Sequence, residues 1–310
     1  MTNPASIRVA VLGGGPDAER PVSLQSAAGV ADALRAAGFQ VLPLTVDRPT
    51  TDELASIDAH AIFPVLHGRF GEGGELQRRL ADANLPFVGS HAAPARLAMD
   101  KIASKLLAAS LAIPTAPASV LDPAAPGSWL EPPVVCKPIH EGSSVGLSIC
   151  RDADALRAAI AAASAASTPF MIERLIPGRE LTIAILDHHA LPIIEITPAA
   201  GVYDYAAKYD RDDTRYTPAP ELPPGITDQL TRDAQRLAAA AGVRHLARVD
   251  FILDPAGTPW FLELNTMPGF TSHSLFPMAA RAAGIDTPAL CARLVQLALR
   301  DHAPALTPNA

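Results

Sequence analysis

The chain has 310 residues, of which 49% are hydrophobic, and its 32 acidic and 25 basic side chains give a formal net charge of −7. This length and composition predict a globular protein with two or three domains, and the negative charge without a basic run argues against a nucleic-acid partner. No stretch of about twenty residues is uninterruptedly apolar, and residues 1–8 lack the pattern of a secretory signal, so we expect neither a membrane span nor export.

The first predicted unit begins with a strand, a glycine turn and a helix. Residues 7–12 form a continuous apolar run, three glycines follow at 13–15, and a helical pattern extends from 23 to 37. This order is typical of a mononucleotide-binding unit. A dinucleotide site is only weakly indicated, because the second predicted strand, 39–46, ends at Asp47, well beyond the usual offset of about twenty residues.

Two polar residues of this unit are candidate site residues. Glu19 precedes the first helix, where its carboxylate could cap the helix or hold a substrate ammonium group, and the sequence alone favours capping. His67 follows the apolar run 61–66 and precedes a predicted helix at 75–83, with four glycines between them. Because ligands of open α/β sheets bind at the carboxyl ends of strands, this position favours a site for His67 over a structural role. Residues 86–89 are predicted to add a fourth short strand.

The second predicted unit supplies lysines and a glycine-containing loop. After a predicted helix at 99–112 and a proline-rich connection, the strand 134–137 delivers Lys137 to the loop 140–146. That loop suits a flap over nucleotide phosphates, although a plain hairpin turn has the same composition. Only four of the basic residues are lysine, namely Lys101, Lys105, Lys137 and Lys208. A lysine retained in an arginine-rich chain indicates a site that needs a compact point charge, as phosphate oxygens do.

The third predicted unit contains a long polar connection. A helix at 154–166 and a strand at 170–173 lead into the unit, and its own first strands are predicted at 181–186 and 190–196. All four tyrosines of the chain then fall within fourteen residues, at positions 203, 205, 209 and 216. The length and polarity of this segment favour a lid or binding loop over an idle linker. Helices are predicted at 228–241 and 288–299.

The strands 246–253 and 259–264 are predicted to form a hairpin around the turn at 254–257. Period-two alternation places four polar side chains on one face, namely Arg248, Asp250, Glu263 and Asn265. Two carboxylates and an amide oxygen suit a hard cation such as Mg²⁺, whereas a hairpin with one solvated face shows the same alternation. No lysine lies nearby in the sequence, so we expect the carboxylates to repel each other until a cation binds. The next segment, 266–275, could direct N–H groups and hydroxyls at an anionic reaction centre.

Several uncommon strings, spread over nearly the whole chain, resemble the D-alanine:D-alanine ligases of the ATP-grasp superfamily. They are G-G-G-P-D-A-E-R-P-V-S at 13–23, L-H-G-R-F-G-E-G-G at 66–74, M-D-K at 99–101, K-P-x-x-E-G-S-S-V-G at 137–146, Y-D-Y-x-A-K-Y at 203–209, and the segment 248–275. The resemblance implies an α/β, three-domain ATP-grasp fold. Its domains would be an N-terminal Rossmann-like, parallel-sheet substrate domain at 1–97, a central ATP-grasp subdomain with a phosphate flap at 98–178, and a C-terminal ATP-grasp subdomain with the metal site and lid loop at 179–310.

The resemblance also implies roles for individual residues. The ATP-binding residues would be Lys101, Lys137, Glu173, Glu180 and Lys208. The ligands of two Mg²⁺ ions, with Mn²⁺ as an alternative metal, would be Asp250, Glu263 and Asn265. The groups that bind the two D-alanines would be Glu19 at the first ammonium, His67 near the first carboxylate, and Ser274 with the Leu275 backbone at the second carboxylate. The remaining catalytic groups would be Arg248 and the Gly269 N–H at the oxyanion, with Ser143, Lys208 and Tyr209 closing the site.

The implied reaction is ATP-dependent phosphorylation of one D-alanine, attack by the amine of a second on the acyl phosphate, and loss of phosphate from a tetrahedral intermediate. The pair Lys208-Tyr209 implies D-alanine rather than D-lactate as the second substrate. Two departures from the family pattern, at Arg174 and Met267, bear on nucleotide affinity and remove no proposed catalytic group.

Other functions remain open from the sequence. They are ligation of a different amino acid by another ATP-grasp carboxylate-amine ligase, nucleotide sensing without turnover, and a dinucleotide dehydrogenase built on the first glycine turn. The three cysteines are odd in number and lack metal-binding spacing, which predicts buried thiols in a reducing compartment. The cysteines favour a cytoplasmic protein, and the resemblance implies an enzyme of peptidoglycan-precursor synthesis that acts as a homodimer without a membrane partner.

Overall fold

Three β-sheets form the framework of the protein. The structure is a computed structural model that describes residues 4–122, 124, 127–199 and 213–302. Within those residues the three sheets follow one another along the chain, so that each takes its strands from a separate stretch of sequence. None of the helices in the described ranges is both long enough and apolar enough to cross a membrane.

The first sheet is parallel and is covered by helices on both faces. Its strands are β1 (Arg8–Gly14), β2 (Gln40–Val46) and β3 (Ala61–Pro64), in the order β2-β1-β3. The helices of this stretch are α1 (Arg20–Ala36), α2 (Thr51–Ala55), α3 (Gly68–Glu72), α4 (Glu75–Asp82) and α5 (Ala92–Met99). Val9 and Val11 enter one hydrophobic cluster and Ala10 and Leu12 another. Because both faces of β1 are buried, its sequence is a continuous apolar run, as the sequence predicted.

The expected fourth strand at 86–89 is wrong as a strand. Phe87 makes an isolated parallel bridge with Ile62, and the pairing goes no further. Gly89 has a φ of 106°, a left-handed backbone conformation that glycine tolerates and that turns the chain away from the sheet edge.

The second sheet is antiparallel and contains the predicted flap. Its strands are β4 (Ala118–Val120), β5 (Val134–Pro138), β6 (Ser148–Cys150) and β7 (Phe170–Arg174), in the order β4-β7-β5-β6. Its helices are α6 (Lys101–Ser110) and α7 (Ala153–Ala165). Asp100 starts α6 by accepting hydrogen bonds from the N–H groups of Ile102 and Ala103, as an N-cap carboxylate does. Strands β5 and β6 pair as a hairpin, so the loop 139–147 is both the predicted glycine loop and a hairpin connection.

The third sheet is antiparallel and carries the predicted polar hairpin. Its strands are β8 (Arg179–Leu186), β9 (His189–Ala190), β10 (Ile194–Thr197), β11 (Arg215–Pro218), β12 (Leu246–Leu253) and β13 (Pro259–Asn265). The order is β11-β10-β8-β12-β13, with β9 on β8. The expected strand at 190–196 is divided into β9 and β10 by a segment that contains Pro192, which has no N–H to donate to a ladder. The hairpin prediction is confirmed.

The last helices return to the first sheet. Helix α8 (Ile226–Ala240) packs on the third sheet, and the two helices that follow it, α9 (Leu275–Ala282) and α10 (Thr287–His302), are the ones that return. Leu290 and Leu294 of α10 share a hydrophobic cluster with Val9 of β1 and Leu34 of α1. Both ends of the chain therefore build one core, and the domain bounds at 97 and 178 remain a prediction.

A buried histidine connects the first sheet region to the third sheet. His245, 3% exposed, accepts a hydrogen bond at Nδ1 from the Gly89 N–H at 3.0 Å. Its Nε2 then carries the proton and donates to Asp301 Oδ2 at 3.1 Å. The neighbouring Arg244 donates to the carbonyls of Gly89 and Phe87. Burial, followed by the charge of Arg244, lowers the pKa of His245 to about 4.

We expect this junction to make the protein sensitive to acid. Because the folded-state pKa lies below that of the unfolded chain, the unfolded state binds more protons between about pH 6.5 and pH 4. The free energy of unfolding should therefore fall by up to about 3 kcal/mol across that window. In His245→Asn the amide oxygen can still accept the hydrogen bond from the Gly89 N–H, and asparagine tolerates the φ of 65°. The asparagine side chain does not titrate. Urea unfolding at pH 7, 6 and 5 should show a smaller pH dependence for the variant; equal slopes would contradict the assignment.

Candidate active site

A cavity lies where the first sheet, the loop 139–147 and the β12–β13 hairpin meet. The assigned residues that line it are Glu19, His67, Lys101, Ser143, Arg248, Glu263, Asn265, Gly269, Ser274 and Leu275. The cavity thus collects side chains from distant parts of the sequence. Glu72, Thr271 and His273 also line it, and the sequence assigned them no role.

Other assigned residues lie elsewhere. Lys137, Glu173 and Asp250 are buried, Glu180 is partly buried, and none of the four is part of the cavity lining. The tyrosine-rich segment could not be placed: Tyr203, Tyr205, Lys208 and Tyr209 lie outside the described residues.

The interpretation of Glu19 as a helix cap is wrong. Glu19 occupies the N-cap position of α1, but its side chain makes no capping hydrogen bond. Its carboxylate instead accepts a short hydrogen bond from Ser143 Oγ across the cavity. A Cβ atom at Gly142 would lie 3.3 Å from Glu19 Oε1, so the loop backbone approaches the carboxylate closely. Glu19 therefore holds the flap against the cavity and presents a buried negative charge to it.

His67 follows β3, occupies the N-cap position of α3 and is paired with a glutamate. The segment 67–74 contains the short helix α3, which the glycine-rich sequence did not predict. Glu72 at the end of α3 places Oε1 3.1 Å from His67 Nδ1. Burial opposes the charged imidazolium, but the hydrogen bond and charge of Glu72 outweigh it and raise the pKa of His67. His67 Nε2 is buried and has no hydrogen-bond partner among the described residues.

The register of the polar hairpin brings its four side chains together. Arg248 is opposite Asn265 and Asp250 is opposite Glu263, with a register shift after Asp250. The Arg248 guanidinium donates to Asp250 Oδ2 from Nη2 at 2.8 Å and to both carboxylate oxygens from Nε, and its Nη2 lies 3.4 Å from Glu263 Oε1. The expectation that only a cation offsets the repulsion between the two carboxylates is therefore corrected, because Arg248 already offsets one of the two negative charges.

The donor types fit a hard divalent cation. Glu263 and Asn265 line the cavity, and Asp250 stands beside them on the same face. Asn265 Oδ1 accepts the Met267 N–H at 2.9 Å, which leaves the second lone pair of the amide oxygen for a ligand. Within the described ranges no three His, Cys, Asp or Glu side chains are grouped for a metal, so a site here would rely on the amide and on non-protein oxygens.

A second charged cluster lies between α6 and the second sheet. Glu173 on β7 is 4% exposed and forms ion pairs with Lys105 Nζ at 2.9 Å and Lys137 Nζ at 2.5 Å. Burial raises the pKa of Glu173, but the two lysines outweigh it and hold that pKa below its usual value. Lys105 is one of the four lysines that the sequence singled out, but no individual role was assigned to it. Its position one helical turn after Lys101 is the signal that could have indicated one. Lys101 itself donates to the Glu141 carbonyl of the flap.

The segment after β13 forms a tight turn that leads into α9. Ser274 Oγ accepts the Thr271 N–H at 2.9 Å, and Leu275 is the first residue of α9. A Cβ atom at Gly269 would lie 2.8 Å from Ser274 Oγ, so a side chain at this position would displace the serine. Met267 is 2% exposed in the core, and Arg174 is exposed at the end of β7.

Comparisons with known proteins give a consistent result. A family model described as D-ala D-ala ligase C-terminus matches residues 122–296. The D-alanine–D-alanine ligase of Bordetella avium is 40% identical over 308 residues, covering 96% of this chain and 97% of the relative. That of Dechloromonas aromatica is 41% identical over 301 residues, covering 95% and 98%. The crystal structure of the Bacillus anthracis D-alanine–D-alanine ligase complexed with ATP has a TM-score of 0.84 at 30% identity and covers 97% of this chain and 99% of that one.

Proposed function

The chain belongs to the D-alanine–D-alanine ligase family, which joins two D-alanine molecules with ATP, and we propose that it does so through an acyl phosphate in the cavity described above. The observation that carries this proposal is the convergence on one cavity of ten of the sixteen residues that the resemblance assigned to substrates, ATP, metal and catalysis. These residues come from all three sheet regions, and a merely structural role would not require their polar atoms to face one space.

The first D-alanine binds between Glu19 and His67 in this proposal. The buried Glu19 carboxylate offers a counter-charge to the ammonium group. The raised pKa of His67 and its Nε2, which has no hydrogen-bond partner in the part of the chain that the structure describes, favour a donor that can bind the carboxylate. Opposite charges at the two ends of a short zwitterion fix its orientation.

The second D-alanine binds at the start of α9. Ser274 and the Leu275 N–H lie at the N-terminus of this helix, where backbone N–H groups and the helix dipole favour a carboxylate. Gly269 lets the neighbouring turn lie close to Ser274. In this proposal the amine of the second D-alanine and the carboxylate of the first D-alanine therefore share one small space.

ATP lies between the second and third sheets in this proposal. Lys101 and Lys137 would bind phosphates, and Glu173 and Glu180 would bind the adenosine part. Lys105 would keep the Glu173 carboxylate charged and oriented when Lys137 turns to a phosphate, since the two lysines hold different oxygens. Lys208 and Tyr209 keep their proposed roles as lid residues.

Asp250, Glu263 and Asn265 would hold Mg²⁺, which supplies charge neutralisation on the transferring phosphoryl group. The chain's own residues do the positioning. Arg248 and the Gly269 N–H stabilise the oxyanion that forms when the second amine attacks the acyl carbon. The carbon–nitrogen bond forms, the bond from the acyl carbon to the bridging oxygen breaks, and phosphate leaves with that former carboxylate oxygen and, in the net balance, with the proton that the amine loses. The flap that Ser143 fastens to Glu19 excludes water, which would otherwise hydrolyse the acyl phosphate.

The direct test measures phosphate release from ATP with and without D-alanine, and identifies the product by mass spectrometry. We expect release to require D-alanine and to match D-alanyl-D-alanine one to one. Equal activity with another amino acid would favour a different carboxylate-amine ligase, and ATP binding without any release would favour a sensor. A homodimer in the cytoplasm remains our expectation, and the buried free thiols of Cys136, Cys150 and Cys291 agree with a reducing compartment.

A further inference from the structure

Thr182 on β8 lies directly opposite Asp250 in the β8–β12 ladder. Its Oγ donates to Asp250 Oδ1 at 2.5 Å, and the two residues are 1% and 3% exposed. The neighbours Leu181 and Ile183 face a different side of the strand and enter a hydrophobic cluster. A hydroxyl is therefore buried at a position where the residues on either side along the strand are aliphatic.

The preference of residues for a strand interior does not require this hydroxyl. Valine has nearly the same shape as threonine and is at least as suited to a strand interior. Burying a hydroxyl is favourable only when it makes a hydrogen bond, and here the bond goes to a carboxylate that is itself buried. The choice of threonine therefore points to the orientation of the Asp250 carboxylate.

Thr182 and Arg248 both donate hydrogen bonds to Asp250, but they differ in what else they contact. Arg248 contacts both Asp250 oxygens but also approaches Glu263, and it faces the cavity where it would serve the oxyanion. Thr182 lies outside the cavity lining and holds Oδ1 from the strand behind. In a state where Arg248 contacts the substrate instead, Thr182 would still hold Oδ1, and Oδ2 would no longer accept hydrogen bonds from the guanidinium.

We propose that Thr182 is a positioning residue that orients the Asp250 carboxylate for a divalent cation and thereby sets the metal affinity of the enzyme. The inference rests on the proposed metal site of Asp250, Glu263 and Asn265. Thr182 touches neither substrate nor metal and acts through Asp250. Outer-sphere hydrogen bonds of this kind typically change metal affinity by about 10- to 100-fold when they are removed.

The test is a titration of Mn²⁺ followed by electron paramagnetic resonance, with ADP present and D-alanine absent so that no turnover occurs. Thr182→Val, which removes the hydroxyl and keeps the shape, should weaken Mn²⁺ binding by about tenfold or more. Thr182→Ser, which keeps the hydroxyl, should stay within about threefold of wild type. The matched control Thr115→Val removes a hydroxyl whose contact, to the Phe261 carbonyl, is 3.4 Å long, and should leave Mn²⁺ affinity unchanged.

The outcomes separate this inference from the metal site itself. Absence of protein-bound Mn²⁺ in the wild type would overturn the metal site. Normal Mn²⁺ affinity in Thr182→Val, with or without a lower thermal midpoint, would overturn the role of Thr182 alone. An equal loss in Thr182→Ser and Thr182→Val would do the same, because the hydroxyl would then not be the cause. If circular dichroism finds Thr182→Val unfolded, Thr182→Ala takes its place with the same expected loss.

Discussion

Replacing Glu263 by glutamine should lower kcat by at least about a hundredfold while leaving the fold intact. The loss corresponds to about 2.7 kcal/mol of transition-state stabilisation, which is a modest contribution for a charged group beside a transferring phosphoryl group. The fold should tolerate the change because the Glu263 side chain is 26% exposed and lies 3.4 Å from Arg248, which keeps its closer contacts to Asp250. The thermal midpoint of the ligand-free protein should therefore move by no more than about 2 °C.

A control at the other end of the same hairpin separates chemistry from folding. Asp254 accepts the Thr258 N–H and the Trp260 Nε1–H at 2.8 Å each, far along the strands from the cavity. Asp254→Asn should lower the thermal midpoint and leave kcat unchanged. If Glu263→Gln kept more than about a third of wild-type turnover, a deficit well under 1 kcal/mol, Glu263 would not be a metal ligand.

Replacing Glu173 by glutamine should destabilise the protein by about 3–5 kcal/mol, because it leaves the buried Lys105 and Lys137 without a counter-charge. The control is Glu195→Gln, whose partner Arg179 is 39% exposed, so that its loss should cost less than about 1 kcal/mol. Urea unfolding at pH 7 measures both values. Adding Lys105→Met to Glu173→Gln should recover part of the loss by removing one of the two uncompensated charges.

Similar costs for the Glu173 and Glu195 variants would mean that water or movement of the lysines relieves the buried charge. A large cost for Glu173→Gln that Lys105→Met does not reduce would mean that Lys137 alone carries the ion-pair energy. Each result distributes the ion-pair energy differently among Glu173, Lys105 and Lys137. Neither measurement requires ATP.

The sequence predicted the elements with strong periodicity, but it could not predict which side chains meet. The hairpin at 246–264 and its shared polar face follow from period-two alternation, and the structure has both. The flap contact of Glu19 depends on Ser143, more than a hundred residues away, so local reasoning preferred a helix cap. Thr182 gives no sequence signal because threonine is an ordinary strand former.

The missed helices have local causes. Helix α3 is five residues long and contains two glycines, which are poor helix formers, so its pattern resembles a loop. Helix α9 follows a turn rich in Pro, Gly and hydroxyls and carries Pro277 in its first turn, where proline is tolerated. In both cases packing against the first sheet region stabilises a helix that propensity alone would not predict.

The return of α9 and α10 to the first sheet has a consequence for biosynthesis. Val9, Val11 and Phe63 are synthesised before the second and third sheets, whereas Leu290, Leu294 and Leu297, which complete their cluster, are synthesised only after both of those sheets. Until then this face of the parallel sheet is covered only in part, by residues of α1 such as Val30 and Leu34. Exposed apolar surface is where nascent chains aggregate or engage chaperones, and the first sheet reaches its final packing only after α9 and α10 have been synthesised.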